Sequence, residues 1–409
     1  MPGRFTCAGR PVRLITATKN PRWRRALNSV TKPELIEETA RHYQLANEAF
    51  SKDDWEIARQ HYEAALNLVP NFAEALHNLG DLLLLMGKIS AAMDCYERAL
   101  ASKPQSHKTR YSLATAQLMC GNFAEGWKNY EARWANKNLP HPGTVREAAL
   151  WDGSPVQGKL LLWGEQGIGD EVMFAGFLPE IIARGVDIVL KCANPRLIPL
   201  FKRSFPQVEV VHELGMEKFA AHRPMGDLPM LLHPDLSSYS APKYYLKAVT
   251  PQKDAGKKRI GISWHSNSTA TGRYRSISLT QLNPLFALSG IEWLNLQYGD
   301  VAELENQAAA ANAPLVFDAD VNPLADLDHF AAQVASLDGV ITIDNATAHI
   351  AGALGIPTYV LLPHTPDWRW FLNRKDTPWY PSMKLFRQSQ LHDWDSAIRA
   401  LQQEMTSGD

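Results

Sequence analysis

The chain has 409 residues, of which 45% are hydrophobic and 21% are charged, and its formal net charge at pH 7 is −1. This composition is typical of a globular protein with two or three domains. Because the net charge is near zero, general electrostatic attraction to nucleic acid or to an anionic membrane is excluded as the basis of function.

The cysteines and the apolar runs indicate the compartment. The four cysteines lack the C-x-x-C spacing of zinc ribbons and redox pairs and stand far apart, which favours a reducing compartment. No apolar run approaches the roughly 20 residues of a membrane-spanning helix. We therefore expect a cytoplasmic protein without an integral membrane segment.

Residues 1–33 form a basic leader with eight Arg or Lys residues and no acidic residue. The leader lacks the apolar segment and the cleavage site of a targeting sequence. Two interpretations remain open: a disordered native segment, and a start codon placed too far upstream.

Residues 34–138 carry a helical repeat with a period of 34 residues. Leucine, tyrosine and turn residues recur at fixed positions of each unit, and proline ends the second helix of the first two units. These positions are Leu45, Leu79 and Leu113; Tyr62, Tyr96 and Tyr130; Asp53, Gly87 and Gly121; and Pro70 and Pro104. The pattern resembles the tetratricopeptide repeat in three copies, which implies an α-solenoid of stacked helical hairpins.

The concave face of such a solenoid has two interpretations. It is a groove for a protein or peptide, with Asn47, Asn78 and Asp81 as its polar lining, or it is a dimerisation surface or a rigid support for the next domain. The second interpretation leaves a homo-oligomer open.

Strands and helices alternate in the rest of the chain. A linker is expected at 139–158 because of its prolines and glycines, followed by a first Rossmann-like half at 159–240. Its predicted strands are 159–163, 186–191, 208–211 and a short one near 228–232, and its predicted helices are 170–184 and 195–203. Such βαβ units imply a parallel sheet.

An interdomain linker at 241–258 leads to a second Rossmann-like half at 259–405. Its predicted strands are 259–264, 291–297, 314–317, 339–343 and 357–362, and its predicted helices lie near 279–289, 300–311, 324–337, 345–354 and 391–405. Two α/β halves create a cleft between two sets of strand ends, where ligands commonly bind.

A glycine-rich turn follows the first strand of the first half. Its candidate residues are Glu165, Gln166, Gly167, Gly169 and Asp170. The turn lacks the G-x-G-x-x-G fingerprint of dinucleotide binding, and its acids would repel a bound phosphate. Asp170 is therefore a candidate reacting group. The alternative is that Asp170 only caps the helix and that Glu171 only complements the helix dipole.

A better phosphate site follows the predicted strand 339–343. Small residues open the next helix, so the backbone N–H groups of residues 345–348 are expected to be accessible to a diphosphate. The donor-side candidates here are Asp344, Asn345, Ala346, Thr347, Ala348 and His349. The alternative makes Asp344 a plain N-cap and His349 a packed core histidine.

Further donor-side candidates lie elsewhere in the second half. Arg275 could neutralise charge on a leaving diphosphate, with a solvated loop arginine as the alternative. Gln297 could reach a nucleoside edge or ribose, and Trp264 and His265 stand at a strand end. The aromatic stretch 363–388 either stacks on a base or sugar, or packs between the C-terminal helix and the sheet.

Several short motifs occur in a fixed order along the chain, and together they resemble those of a known family. They are Gly126-Trp-x-x-Tyr-Glu-x-Arg-Trp134, Trp151-Asp-Gly-Ser-Pro155, Glu165-Gln-Gly-x-Gly-Asp170, Asp344-x-Ala-x-Ala-His349, and Asp367-Trp-Arg-Trp370 followed by Trp379-Tyr-Pro381. Over about residues 39–405 the chain resembles bacterial tetratricopeptide-repeat proteins with a C-terminal glycosyltransferase domain. The catalytic part is similar to the lipopolysaccharide heptosyltransferase family.

The resemblance implies a GT-B fold and a nucleotide-diphosphate sugar as co-substrate, with no metal and no other cofactor. It implies Asp170 as the base and the loop from Asp344 to His349 as the diphosphate loop. It also implies Arg275 as the basic residue after the first strand of the second half, a position where the family often has lysine. Asn345 stands where the family commonly has Thr or Ser. The pair Asp318-Ala-Asp320 imitates a metal-binding D-x-D motif, but it follows a late strand, which favours chance.

The expected architecture is therefore a tetratricopeptide-repeat α-solenoid followed by a GT-B-like pair of Rossmann-like α/β domains. The expected function is inverting, metal-independent transfer of a sugar to an acceptor hydroxyl, with the solenoid binding a protein acceptor or partner. The alternative is a non-catalytic scaffold whose degenerate transferase domain binds or senses a nucleotide sugar.

Overall fold

The computed structural model describes residues 33–135, 148–249, 256–268 and 271–407. These residues form two compact units: a helical unit, which also includes Asp367–Leu372, and an α/β unit. Residues 1–32 of the predicted leader and 139–147 of the predicted linker lie outside the described residues. Among the described residues, no helix is long and apolar enough to cross a membrane.

Six α-helices in three hairpins build the helical unit, which confirms the predicted repeats. They are α1 Pro33–Ser51, α2 Trp55–Leu68, α3 Ala73–Leu85, α4 Ile89–Ser102, α5 His107–Met119 and α6 Phe123–Tyr130. Small residues stand where the two helices of a hairpin cross. A Cβ on Gly80 would lie 2.5 Å from Cε1 of Tyr96, and one on Gly126 would lie 2.7 Å from Cδ2 of Leu118. The repeating small residues therefore let the helices pack closely.

The polar residues predicted to line a groove are buried and bind one another. Tyr62 Oη donates to Asn47 Oδ1 at 2.6 Å, and one repeat later Tyr96 Oη donates to Asp81 Oδ1 at 2.8 Å. Asn78 Nδ2 donates to Asn47 Oδ1 at 2.9 Å. These side chains hold the hairpins together, so the prediction that they form an exposed lining is wrong.

Asp81 illustrates how strongly this polar network is paired. Burial alone would raise its pKa, but the His77 ring, 3.3 Å from its carboxylate, and neighbouring donors lower the pKa of Asp81 to about 2. A buried carboxylate is stable in this position because it accepts hydrogen bonds and faces a basic group.

A six-residue segment from the far end of the sequence completes the helical unit. Its 3₁₀ turn, Trp368–Trp370, packs on the last hairpin. The Trp368 ring centroid lies 5.6 Å from those of Trp127 and Tyr130, and the Phe371 ring lies 5.9 Å from that of Phe123. Trp368 and Phe371 therefore cover the apolar face of the terminal repeat. Phe386, in the same predicted aromatic stretch, packs against a core cluster that includes Trp394 and Ile398 of the C-terminal helix, which confirms the packing interpretation for that part of the stretch.

The first half of the α/β unit contains one parallel sheet. Its strands are β1 Ala149–Leu150, β2 Lys159–Trp163, β3 Asp187–Lys191, β4 Glu209–Val211 and β5 Ala221–Pro224, and its helices are α7 Ile168–Ala175, α8 Leu178–Ala183, α9 Ile198–Ser204 and α10 Leu228–Leu232. The strand order is β1-β5-β2-β3-β4, and each neighbouring pair is parallel.

Three predictions for this half need correction. The stretch 228–232 is a helix and not a strand, because Pro229 occupies its first turn, where a proline is tolerated. The strand beside β2 is instead β5, and β1 lies within the predicted linker. The predicted helix 170–184 is two helices, α7 and α8.

The second half contains a six-stranded parallel sheet. Its strands are β6 Lys258–Ile262, β7 Ile291–Asn295, β8 Leu315–Val316, β9 Gly339–Ile343, β10 Thr358–Leu362 and β11 Met383–Arg387. Its helices are α11 Gly272–Arg275, α12 Asn283–Phe286, α13 Val301–Ala310, α14 Leu327–Ala335, α15 Ala346–Ala353 and α16 Trp394–Ser407. The strand β11 was not predicted from the sequence. The predicted helix 279–289 consists of a 3₁₀ turn followed by the short helix α12.

The strand order of this sheet, β11-β10-β9-β6-β7-β8, is the Rossmann order. In the first half the strand connection reverses direction between β2 and β5, and in the second half it reverses between β6 and β9. We call these the first and second switch points, where open α/β sheets bind ligands outside the carboxyl ends of the strands. The predicted architecture, helical repeats followed by a GT-B-like pair of α/β halves, is confirmed.

Candidate functional site

Glu165 joins the two strands of the first switch point. The N–H of Gly226, which follows β5, donates to Glu165 Oε1 at 3.0 Å, and only 1% of Glu165 is exposed. The carboxylate thus satisfies a buried backbone donor between two strand ends. This contact gives Glu165 a structural role at the turn.

Glu171 makes a second connection of this kind, to the loop after β3. The N–H groups of Ala193 and Asn194 donate to its two carboxylate oxygens at 2.8 and 2.9 Å. A Cβ on Gly164 would lie 2.6 Å from Cδ of Glu171 and would overlap Oε2. Glycine at this position therefore leaves room for the carboxylate.

Burial controls the ionisation of Glu171. Removal from water raises the pKa of its carboxyl to about 8, against the opposite effect of the N–H donors of Ala193 and Asn194. The nearby Asp170 raises this pKa further and Lys191 lowers it. In the sequence, Glu171 had a role only in the alternative interpretation, as a complement to the helix dipole. Its hydrogen bonds with Ala193 and Asn194 were not predicted, because they depend on the pairing of β2 with β3.

Asp170 lies in the first turn of α7 and is 6% exposed. Its Oδ2 accepts from the N–H of Gly167 at 3.1 Å, which is the helix-capping contact offered as the alternative interpretation. The preceding Gln166 has a φ of +65°, an unusual value for a residue with a side chain. A tight turn with a defined backbone conformation therefore places Asp170 at the carboxyl end of β2.

The two halves meet where α7 faces α15. A Cβ on Gly169 would lie 2.6 Å from Cδ2 of His349, so only glycine permits this approach. The Nδ1 atom of His349 lies 2.8 Å from the hydroxyl of Tyr380, and the Tyr245 hydroxyl donates to the carbonyl of Val172 in α7 at 2.8 Å. His349 is buried, as its packed-core interpretation required, and the first turns of α7 and α15 are neighbours.

At the second switch point Arg275 pairs with Asp344. Arg275 Nη1 donates to Asp344 Oδ2 at 3.0 Å, and the two side chains are 11% and 9% exposed. The solvated-loop interpretation of Arg275 is therefore wrong. Two residues predicted separately for the donor side lie together and form a buried ion pair.

The N-cap of α15 is Asn345 and not Asp344. Asn345 Oδ1 accepts from the N–H groups of Thr347 at 3.0 Å and Ala348 at 3.4 Å. These are N–H groups that the sequence predicted to be accessible to a diphosphate, so that prediction needs correction: the helix start is capped from within. Of the predicted loop, Ala346 is the residue that stays partly exposed.

A ring of hydrogen bonds fixes this cap to the sheet. Thr342 Oγ1 lies 2.7 Å from Ser263 Oγ and donates to Asn345 Oδ1 at 3.0 Å, while Asn345 Nδ2 donates to Ser263 Oγ at 3.0 Å. Ser263 follows β6 and Thr342 lies in β9, so the ring joins the two strands of the switch point. No sequence spacing indicated these two residues.

Three other donor-side candidates have structural contacts. Gln297 Oε1 accepts from the N–H groups of Trp264 at 3.0 Å and His265 at 2.8 Å, and its Nε2 donates to the carbonyl of Tyr298. Both ends of the Gln297 amide thus bind backbone. The Trp264 side chain belongs to the core of the second half, while His265 is exposed. The predicted contacts of Gln297 and Trp264 with a nucleotide need correction.

Metal ligands were not expected. Within the described residues, no group of three or more His, Cys, Asp or Glu side chains could hold a metal ion. In the D-x-D imitation, Asp318 Oδ1 accepts from the N–H of Asp320 at 3.1 Å, which is a local turn contact.

Comparison with known proteins identifies the repeats. Family models described as TPR repeat and tetratricopeptide repeat match residues 46–87 and 73–106. The chain is 32% identical over 374 residues to Protein FlbA of Caulobacter vibrioides, covering 82% of this chain and 62% of FlbA. The chain thus spans about three-fifths of the length of this curated relative.

Among solved structures, E. coli ADP-heptose LPS heptosyltransferase II matches with a TM-score of 0.40 and 12% identity, covering 61% of this chain and 98% of that chain. A mutant of the Thermobaculum terrenum O-GlcNAc transferase matches with a TM-score of 0.29 and 13% identity, covering 83% of this chain and 84% of that chain.

Proposed function

We propose that the protein is a glycosyltransferase that moves a sugar from a nucleotide-diphosphate donor to an acceptor hydroxyl with inversion. One observation carries this proposal: groups of opposite charge lie at the two switch points, on either side of the junction between α7 and α15. Asp170 lies in the first turn of α7. Arg275 is held beside the carboxyl end of β9 by Asp344.

In the proposed reaction, the Asp170 carboxylate accepts the proton of the acceptor hydroxyl. The hydroxyl oxygen attacks the anomeric carbon as the bond from that carbon to the diphosphate oxygen breaks, and the leaving diphosphate takes the electron pair. Arg275 stabilises the charge of the departing diphosphate. A guanidinium has five N–H donors, so one arginine can contact both a carboxylate and a phosphate. No metal and no other cofactor takes part.

Replacement of Asp170 tests the proposal. Asp170→Asn preserves size but removes the base, and we expect sugar transfer to fall by about 10²-fold or more. The measurement is turnover of UDP-glucose, ADP-glucose, GDP-mannose and dTDP-glucose, followed by mass spectrometry. Asp187→Asn, at the exposed start of β3, is the matched control. A folded Asp170→Asn protein with wild-type turnover would rule out this role.

We also propose that the helical unit binds a protein acceptor or partner. The proposal rests on the repeats themselves, which build extended binding surfaces in solenoid proteins. Since Asn47, Asn78 and Asp81 are buried, other residues must form the contact. Equal transfer to a peptide hydroxyl and to a small alcohol would speak against a bound protein acceptor.

One observation favours a second candidate, a scaffold that senses a nucleotide sugar. The second switch point is satisfied from within, because Asn345 caps α15 and Arg275 pairs with Asp344. Such a site could bind a donor without turning it over. Calorimetry with the same four donors separates the candidates: binding without turnover supports the sensor, and absence of binding contradicts both.

A further inference from the structure

We infer that Glu171 is a positioning residue that holds Asp170 in place, and that Gly164 serves to make room for its carboxylate. The inference rests on the proposed function, because it assigns a role to a neighbour of the proposed base. Glu171 is buried, and it acts on Asp170 through the backbone of the glycine turn.

Two buried glutamates connect three adjacent strand ends around Asp170. In the sheet, β2 lies between β5 and β3. Glu165 ties the turn after β2 to Gly226 after β5, and Glu171 ties the first turn of α7 to residues 193–194 after β3. Each glutamate is only 1% exposed. The turn that carries Asp170 is therefore anchored on both sides.

The anchors determine where the Asp170 carboxylate lies. Asp170 precedes Glu171 directly, and one of its hydrogen bonds, with the N–H of Gly167, stays within the same turn. That contact moves with the turn and cannot fix its position against the sheet. Glu171 can, because its partners belong to a different strand connection. A displacement of about 1 Å at a reacting group can lower a rate by about 10²-fold.

Gly164 supplies an independent way to disturb the same contact. Its φ is not positive, so alanine fits its backbone, but the added Cβ would overlap Oε2 of Glu171. Gly164→Ala should therefore displace the carboxylate from Ala193 and Asn194. In a Glu171→Ala protein the three atoms nearest to that Cβ, which are Oε2, Cδ and Cγ of Glu171, are absent.

The experiment is a double-mutant cycle on the full chain with Gly164→Ala, Glu171→Ala and the combination. Amide hydrogen exchange of segments 164–175 and 191–196 reports the anchor, and kcat and KM with the four donors above report the chemistry. Gly215→Ala is the matched control, because nothing lies within 4 Å of a Cβ there and its φ is not positive.

We expect each single variant to speed exchange in both segments by about tenfold, since a lost hydrogen-bond contact of about 1.4 kcal/mol corresponds to that factor. We expect kcat to fall by about 10²-fold with little change in KM. The double variant should be no worse than Glu171→Ala alone. Additive effects of the two changes, or an unchanged kcat despite faster exchange, would overturn the inference.

The outcomes separate this inference from the proposed function. If Asp170→Asn loses turnover while Glu171→Ala keeps the wild-type kcat, the inference fails and the proposed function stands. If Asp170→Asn keeps full turnover, the proposed function fails, and with it the catalytic meaning of the anchor. If Glu171→Ala folds poorly, Gly164→Ala tests the same contact by the same exchange and kcat measurements, and it retains the Glu171 side chain.

Discussion

The two switch points occupy the same place in similar sheets but satisfy their buried polar groups differently. At the first, the carboxyl groups of two glutamates accept hydrogen bonds from backbone N–H groups: Glu165 from Gly226, and Glu171 from Ala193 and Asn194. At the second, side chains also bind one another, as in the pair of Arg275 with Asp344 and the contact of Thr342 with Asn345. Strand order thus determines where a site lies, and the side chains determine its charge.

The difference also concerns what a mutation leaves behind. Removing a glutamate from the first switch point leaves neutral N–H donors without a partner, whereas removing Asp344 from the second leaves a buried positive charge. We therefore expect the second switch point to be the more sensitive to single substitutions and the first to be the more sensitive to pH.

The largest expected effect is that of Asp344→Ala, which leaves the Arg275 guanidinium buried beside an empty space. We expect a loss of about 3–5 kcal/mol in the free energy of unfolding, measured by urea denaturation. The double change Arg275→Met with Asp344→Leu should recover most of it, because well-packed apolar residues often replace a buried ion pair without loss.

The control for this pair is Glu209→Ala, which breaks a contact with Lys159 between side chains that are 46% and 36% exposed. Exposed pairs of this kind contribute about 0–1 kcal/mol. Equal losses for Asp344→Ala and Glu209→Ala would show that burial of the second switch point is not what distinguishes it.

The next effect is pH dependence from Glu171. The pKa of Glu171 is about 8 in the folded chain and 4.5 for a glutamate without this environment, as in the unfolded chain. Between these two pH values the folded state therefore binds more protons than the unfolded state. Stability from this group is complete below about pH 4.5 and is lost as the pH rises through 8. The free energy of unfolding therefore falls with rising pH by at most about 1.4 kcal/mol per pH unit over this range.

Denaturation of wild type and Glu171→Gln across this pH range checks the prediction. Glutamine does not titrate, so the difference between the two proteins should carry the slope of Glu171 alone. A difference that stays constant from pH 4 to pH 9 would contradict a carboxyl with a raised pKa.

A smaller effect is expected for Asn345→Ala at the start of α15. The variant loses the side-chain acceptor for the N–H groups of Thr347 and Ala348, which corresponds to about 1 kcal/mol of stability. Asn345→Ser, which keeps an N-cap acceptor, is the control. Thermal unfolding of the two variants gives the comparison, and equal melting temperatures would contradict the capping role.

No effect at all is expected from chelation. The proposed chemistry uses a carboxylate and an arginine and no metal, so transfer should persist in excess EDTA at the wild-type rate. Loss of transfer in EDTA with recovery on adding Mg²⁺ would show that the two switch points together need a cation.

The local part of the site could be predicted from the sequence, and the long-range part could not. The turn at Asp170 and the helix start at residues 344–349 follow from strand, glycine and small-residue patterns. Asn345 as N-cap was also within reach, since Asn directly before a helix is a preferred cap. The pairing of Arg275 with Asp344 joins residues 69 positions apart and depends on the neighbouring strands β6 and β9.

Errors in the fold have a similar origin. The apolar run 228–232 suits a strand or a buried helix equally well by periodicity, and Pro229 favours the helix. The true strand, β5, contains Ala221, His222 and Arg223, which have little strand preference of their own. It forms because β1 and β2 pair with it on either side.

The contact of Trp368 with Trp127 and Tyr130 has a consequence for how this protein can be recombined. The helical unit is not contiguous in the gene: it needs residues 33–135 together with Asp367–Leu372. An exchange that moved only the first stretch into another protein would bring an uncovered aromatic face with it. Chimeras should therefore transplant both segments, and insertions are better tolerated elsewhere than between β10 and β11.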